Sequence, residues 1–317
     1  MKNRFFFREL TFLLFGIFLV TSCTDEIDRP VFPISATISY SVKDKQVAFA
    51  ALTHSAVSWS WTFGDGKTST EQNPVHIYND GGYYKAKLVA TDASGATATS
   101  EVELALNLSP INYLTGNPNA PGYKGKKWKL TTVHPVNDKL ANADATLKPL
   151  LQPLPNGAFG QIGLPEAYEG TYTFNINGSY THEVHNMNGN GASFGSAAHQ
   201  LKTNGGAGIL KQSADMKSYP FVMAKFTPEA GATFTYKENV DFTIKSVYTG
   251  GADLTYKGVN SLSFSGNEFI GFMCYERRVI AQEIKDNSMR LVMFASLDPK
   301  YYPIQTNALV LSFEVVK

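Results

Sequence analysis

Apolar and small polar positions alternate through Val57-Ser58-Trp59-Ser60-Trp61-Thr62-Phe63. A period of two is that of a strand with one buried face. It predicts that Val57, Trp59, Trp61 and Phe63 share that face. Gly64-Asp65-Gly66 then ends the strand in a turn, because glycine reaches backbone angles that other residues avoid. Two of the three tryptophans lie here, which makes this the core strand of an early domain. Strand-like runs precede it at Ala36–Tyr40 and Val47–Phe49. Others follow at Tyr84, Ala86, Leu88 and Ala90, and from Ala98 to Leu106. Turn residues separate each pair, the spacing of a β-sandwich.

The pattern breaks after residue 107. Between 108 and 126 stand Pro110, Gly116, Pro118, Pro121, Gly122 and Gly125, which predict a semi-rigid linker. From Trp128 the alternation returns. Asp144 to Leu151 is the best short helix, with Asp144 as its cap and Pro149 as its stop. Strands are expected at Thr233–Tyr236, Val240–Ile244, Leu262–Phe264, Phe269–Tyr275, Arg290–Ala295 and Ala308–Val316. In the hairpin from Gly170 to Asn186, a two-residue Asn177-Gly178 turn would mix the two faces. A three-residue loop with Gly178 left-handed instead pairs Phe174 with Tyr180 and Tyr172 with His182. The expected fold class is all-β: a small sandwich over 33–107, a linker over 108–126, and a larger jelly-roll-like sandwich over 127–317.

Composition adds a compartment. The chain of 317 residues is long enough for two domains, and its formal net charge of +1 with no basic block points away from nucleic acid. Lys2, Arg4 and Arg8 precede the apolar run Leu10 to Val20, the layout of a secretory signal over residues 1–22. The run is too short to span a membrane. It ends Val20-Thr21-Ser22-Cys23, which resembles the lipobox of bacterial lipoproteins. The resemblance implies that Cys23 carries lipid and begins a tether over 23–32. The acidic Thr24-Asp25-Glu26-Ile27-Asp28 resembles a signal for the outer cell face. Cys274 is then left without a disulfide partner and reads as a buried thiol.

Trp61-Thr62-Phe63-Gly64-Asp65-Gly66, Asn73-Pro74 with His76 and Tyr78, Gly82-x-Tyr84 and Asp92 to Gly95 together resemble the PKD domain, the polycystic kidney disease repeat. Ala86 and Ala90 are smaller than that family usually buries. The resemblance implies an immunoglobulin-like sandwich used as a spacer or interaction module, with no catalytic residues to transfer.

Candidate chemistry is sparse. Asp65 reads as a turn cap and not an acid or metal ligand, and His76 and Tyr78 read as packing and corner residues. His182 and His185 would share a metal on a helix, but a strand sends them to opposite faces. Glu166, Glu169, Glu183 and Glu276 form no spacing that picks out a glycosidase pair. There is no Gly-x-Ser-x-Gly elbow and no phosphate loop. No cofactor is expected. The Gly- and Asn-rich stretch from Asn186 to Gly208 reads as a loop, either a surface insertion, a binding wall or a cradle for structural calcium. Lys124, Lys126, Lys127 and Lys129 surround Trp128. Tyr219-Pro220-Phe221 and Tyr301-Tyr302-Pro303 set aromatics beside prolines. Sugar rings stack their C–H faces on such side chains. Trp128, Phe194, Tyr219, Tyr301 and Tyr302 are therefore the candidate ligand contacts.

The layout of lipobox, PKD-like domain, linker and aromatic-rich sandwich resembles the surface glycan-binding lipoproteins of starch-utilisation-type uptake systems. It implies a non-catalytic, outer-membrane-anchored protein that holds a polysaccharide beside an uptake machine. A lipid-anchored hydrolase or lyase, and an adhesin or structural envelope protein, are the alternatives.

Overall fold

The structure is a computed structural model, and it describes residues 32–317. The lipobox, Cys23 and most of the tether lie outside the described residues. The chain is built almost entirely of strands in two sandwiches.

The first holds β1 (Ser35–Lys43), β2 (Gln46–His54), β3 (Ala56–Thr62), β4 (Thr68–Ser69), β5 (Val75–Ile77), β6 (Gly82–Asp92) and β7 (Thr97–Leu106). One sheet runs β1-β2-β5 and the other β4-β3-β6-β7. Trp61, Phe63, Phe49, Tyr78 and Leu88 fill the space between them. Ala86 and Ala90 are both fully buried. Val57 departs from the expected face and is 61% exposed. The register explains it: Ala56 pairs with Asp92 and Ser58 with Thr91, so Val57 is the extra residue of a bulge. Asp65 caps its turn by accepting from Lys67 N–H at 3.0 Å, and its other oxygen meets His76 Nε2 at 2.7 Å. Burial works against the Asp65 charge, but His76 and the Lys67 amide outweigh it and hold the carboxyl below its ordinary range. Tyr78 donates to Phe63 O across the corner.

Residues 108–126 hold more than a linker. Helix α1 (Pro110–Thr115) buries Leu114 in the core of the second sandwich. Trp128 Nε1 donates to Leu114 O at 2.9 Å. Asn117 Nδ2 reaches back to Glu103 Oε2 on β7 at 2.9 Å.

The second sandwich adds β8 (Lys126–Leu130), β9 (Lys139–Asn142), β10 (Pro149–Leu151), β11 (Thr171–Phe174), β12 (Tyr180–Glu183), β13 (His185–Met187) and β14 (Asn190–Ser196). It continues with β15 (Ile209–Gln212), β16 (Phe221–Lys225), β17 (Phe234–Lys245), β18 (Asp253–Phe264), β19 (Val279–Ile284), β20 (Ser288–Ala295) and β21 (Asn307–Val315). The large sheet runs β12-β11-β8-β21-β20-β19-β18-β17, with β9 also on β21 and β10 on β9. The small sheet runs β13-β14-β16-β15. Their facing sides bury Trp128, Tyr172, Phe174, Leu311 and Phe313 against Phe194, Phe221 and Met223.

The hairpin takes the three-residue-loop register: Phe174 opposes Tyr180 and Tyr172 opposes His182, with Gly178 at φ +87°. Three expectations are corrected. The stretch 186–208 is not a loop but contains β14 and helix α3 (Ala197–Asn204), which follows the one-turn α2 (Ala158–Gln161). Residues 144–148 form no helix: Asp144 Oδ1 accepts from Thr146 N–H and Lys148 N–H, a turn that leads into β10. The expected strand over Phe269–Tyr275 is buried only as far as Cys274 and makes a single isolated bridge, from Met273 to Gly195.

Candidate functional site

An open groove that carries exposed aromatics lies where the β20–β21 connection meets the segment after β17. It has a volume of about 540 Å³. Two turns build it. Asp298 Oδ1 accepts from Lys300 N–H at 2.8 Å, and Tyr301 N–H closes back on Asp298 O at 3.1 Å. This presents Tyr301, 40% exposed. On the other side Ser246 Oγ accepts from Tyr248 N–H at 3.1 Å at the start of a short 3₁₀ turn. Tyr248 is 49% exposed. Val247 N–H donates to Gln305 O at 3.1 Å, which ties the two turns together. Lys217, Ser218, Asp298 and Asn307 supply polar groups along the walls. Burial and the charge of Asp144 raise the Tyr248 phenol above its ordinary value, so it stays a neutral donor. Lys300 Nζ stands 5.1 Å from the centre of the Tyr301 ring, over one of its two faces.

The five expected contacts separate. Tyr301 lines the groove. Tyr302 sits beyond it, half-buried, its hydroxyl 3.1 Å from His199 Nδ1 and its ring edge-on to Tyr275. Tyr219 lines a smaller apolar cleft next to the groove. Trp128 and Phe194 are corrected: both are buried between the two sheets, where no ligand reaches them. Trp128 read as surface because four lysines surround it in sequence, but alternation along β8 sends Lys127 and Lys129 to the opposite face, and Lys126 Nζ lies 5.1 Å over the buried indole. In the second domain two exposed tyrosines were missed, Tyr248 and Tyr275, the latter 56% exposed. Tyr248 did carry a signal, an aromatic in the turn-forming run Ser246 to Gly251.

Four clusters of titratable groups in the second sandwich bear on its chemistry. Tyr168 OH accepts from Phe159 N–H and lies 3.0 Å from His134 Nε2. On the other side of the ring Nδ1–H donates to Asp138 Oδ2 at 2.8 Å, since a carboxylate only accepts. Asp138 also takes Ser312 N–H at 3.0 Å and Ser312 Oγ–H at 2.6 Å. Serine here bonds the carboxylate and not the imidazole, the reverse of a nucleophile relay. His182 Nδ1 meets Glu268 Oε2 at 3.1 Å in the core, and its Nε2 has no partner among the described residues. His185 pairs instead with Glu169 at 2.5 Å, nearer the surface, as a strand would separate the two histidines. Glu166 meets Lys211 at 2.6 Å. Burial opposes its charge, but Lys211 prevails and holds the carboxyl below its ordinary range. Among the described residues no three His, Cys, Asp or Glu side chains are grouped to hold a metal ion. Burial pushes the Cys274 thiol up to about 11.

Residues 29–106 match the family model of the PKD domain. The first sandwich is a PKD domain. Its PKD segment brings similarity to much larger proteins. The chain is 48% identical over 50 residues to collagenase ColQ1 of Bacillus cereus (strain Q1), covering 16% of this chain and 5% of that one. It is 43% identical over 65 residues to the microbial collagenase of Vibrio alginolyticus, covering 20% and 7%. It thus spans only a small fraction of the curated relatives it matches. Among solved structures, the PKD1 domain of the Vibrio cholerae metalloprotease PrtV is 27% identical. It covers 24% of this chain and all of that one, at a TM-score of 0.24. A carbohydrate-binding module of the β-sandwich superfamily aligns over 90% of this chain and 93% of its own, at 14% identity and a TM-score of 0.25. That score is too low for the alignment to carry an argument about the second domain.

Proposed function

We propose that the protein is a lipid-anchored, cell-surface carbohydrate-binding protein that captures polysaccharide for uptake without cleaving it. The groove between Tyr248 and Tyr301 carries this reading. Two half-exposed phenol rings flank an open trough whose walls offer an amide, a carboxylate, a hydroxyl and an ammonium. A sugar has the same two-sided character: apolar C–H faces for the rings, and hydroxyls for the polar groups. An open trough suits a chain that enters and leaves at both ends. Cys23 is the anchor in this reading, the PKD domain is the spacer, and the outer membrane is the site. An outer-membrane uptake machine is the partner to which the glycan passes.

The test uses the soluble chain from Thr24 onward, run in affinity gels cast with plant, algal and fungal polysaccharides. Reducing ends are assayed on the same samples. The expected result is retardation without product release. Tyr301→Ala with Tyr248→Ala should weaken binding at least tenfold, since each stacked ring is worth about 1 kcal/mol beyond its area. Release of reducing ends overturns the reading, and so does equal retardation of the double variant. For the anchor, cells expressing the full chain are fed an alkyne fatty acid. Label should appear on the wild type and vanish in Cys23→Ala.

A further inference from the structure

Beside the groove lies a second opening of about 90 Å³, and its walls are apolar: Leu140, Leu154, Phe159, Ile162, Tyr219 and Phe221. We propose that it takes a short acyl group carried as an ester on the saccharide in the groove. This deepens the carbohydrate reading and rests on it.

Four segments supply residues to both openings. On β21, Asn307 lines the groove and Leu309 the cleft. They stand two residues apart on one face of the strand, about 7 Å. Leu309 pairs directly with Leu140, which borders both. On β10, Leu150 faces the groove and Leu151 the cleft. Pro220 lines the groove between Tyr219 and Phe221, which line the cleft. A substituent one ester link away from a sugar in the groove therefore reaches the cleft.

The cleft is not a packing fault that a small motion would close. Native interiors seldom keep voids larger than a water molecule. Here the wall is pinned to buried polar groups. Leu154 N–H donates to Asp138 O at 3.1 Å, and Phe159 N–H donates to Tyr168 OH at 3.2 Å. The Asp138 carbonyl and the Tyr168 hydroxyl thus anchor two residues of the cleft wall. The opening is smaller than the roughly 150 Å³ apolar cavity that holds benzene, so it suits an acyl chain of a few carbons. A bare sugar would leave hydroxyls unpaired against these walls. The rim has polar groups where an ester needs them. Lys139 borders the cleft, where its ammonium can meet an ester carbonyl.

The first test needs no glycan. The soluble chain from Thr24, with labelled isoleucine methyl groups, is titrated with ethyl butyrate and with ethyl benzoate. The Ile162 methyl resonance should shift with ethyl butyrate in the wild type and in Tyr301→Ala. It should not shift in Ala158→Leu, which fills the cleft from its rim. Leu151→Phe fills it from the other side and serves if the first variant fails to fold. No shift of Ile162 overturns the proposal whatever the groove binds. The second test compares acetylated xylan and acetylated pectin, each before and after saponification. An acetyl methyl buried at about fourfold per carbon, with a carbonyl hydrogen bond, should tighten binding of at least one about tenfold, and Ala158→Leu should erase the difference. Equal binding before and after saponification overturns the ester subsite while leaving the groove intact. Ester binding with neither polysaccharide retained overturns the link to a saccharide.

Discussion

His199 shows how far one side chain is set by its surroundings. It is buried in α3 against Tyr302, and burial, with Arg277 nearby, lowers its pKa to about 4. The unfolded chain takes up that proton near 6.5. Between the two values the unfolded state binds more protons, so stability rises with pH there. The contribution is fully present above pH 6.5 and is lost as pH falls towards 4. A gap of this size corresponds to about 3 kcal/mol. Urea unfolding at pH 7 and pH 4.5 should show the loss in the wild type. His199→Gln should remove it, leaving only the slope due to the other titratable groups. Identical slopes in the two proteins would mean that the imidazole is solvated. Single residues also explain what could be read in advance. Asp65, His76 and Tyr78 were legible as packing and capping residues because local turn chemistry fixes them. Trp128 was not, since a large aromatic among lysines fits a surface or a core equally well until its partners are known.

At the scale of elements, alternation and turn geometry were not enough for β9–β10, β13–β14 or β19, but they were enough for some other strands that pair with a neighbour in sequence. The β11–β12 hairpin is the clearest case, because only one loop length puts Phe174, Tyr180, Tyr172 and His182 on one side. Gly178 carries that geometry at φ +87°. Gly178→Ala should cost about 1–2 kcal/mol, the penalty of a Cβ in the left-handed region. Denaturant midpoints would check it, and an unchanged midpoint would mean that the loop can adopt another form. The elements that were misread are short and set by long-range contact. Asn190–Ser196 looks like a loop for its glycine and serine. It is a strand because Phe194 and Ala192 sit between Met223 and Lys225 on β16 and the core beyond. The bulge at Val57 is likewise invisible in sequence, since it depends on the register of β6.

At the scale of the molecule, the two domains and their class were legible and the candidate groove was largely not. The groove gathers Ser218, Tyr248, Tyr301 and Asn307 from four separate stretches, and no local pattern announces such a meeting. The join between the domains was also hidden, because proline and glycine spacing reads the same in a free linker and in one that is docked. Leu114 is the measure of that docking. Although it precedes the second sandwich, it lies in that sandwich's core. Leu114→Ala should lower the stability of the second domain by about 2–5 kcal/mol. Unfolding followed through Trp128, with Trp59 and Trp61 replaced by Phe, would report it. No change would make the segment a tether and nothing more.

The position of β21 has a consequence in time. It is the latest strand in the chain, yet it pairs with β20, β8 and β9 near the middle of the large sheet. A growing chain that has reached residue 306 therefore holds two half-sheets with no strand between them. The PKD domain can close as soon as β7 has been made, whereas its neighbour must wait for residues 307–315. Any chain released before then leaves the apolar edges of β8 and β20 uncovered, open to pairing with another chain.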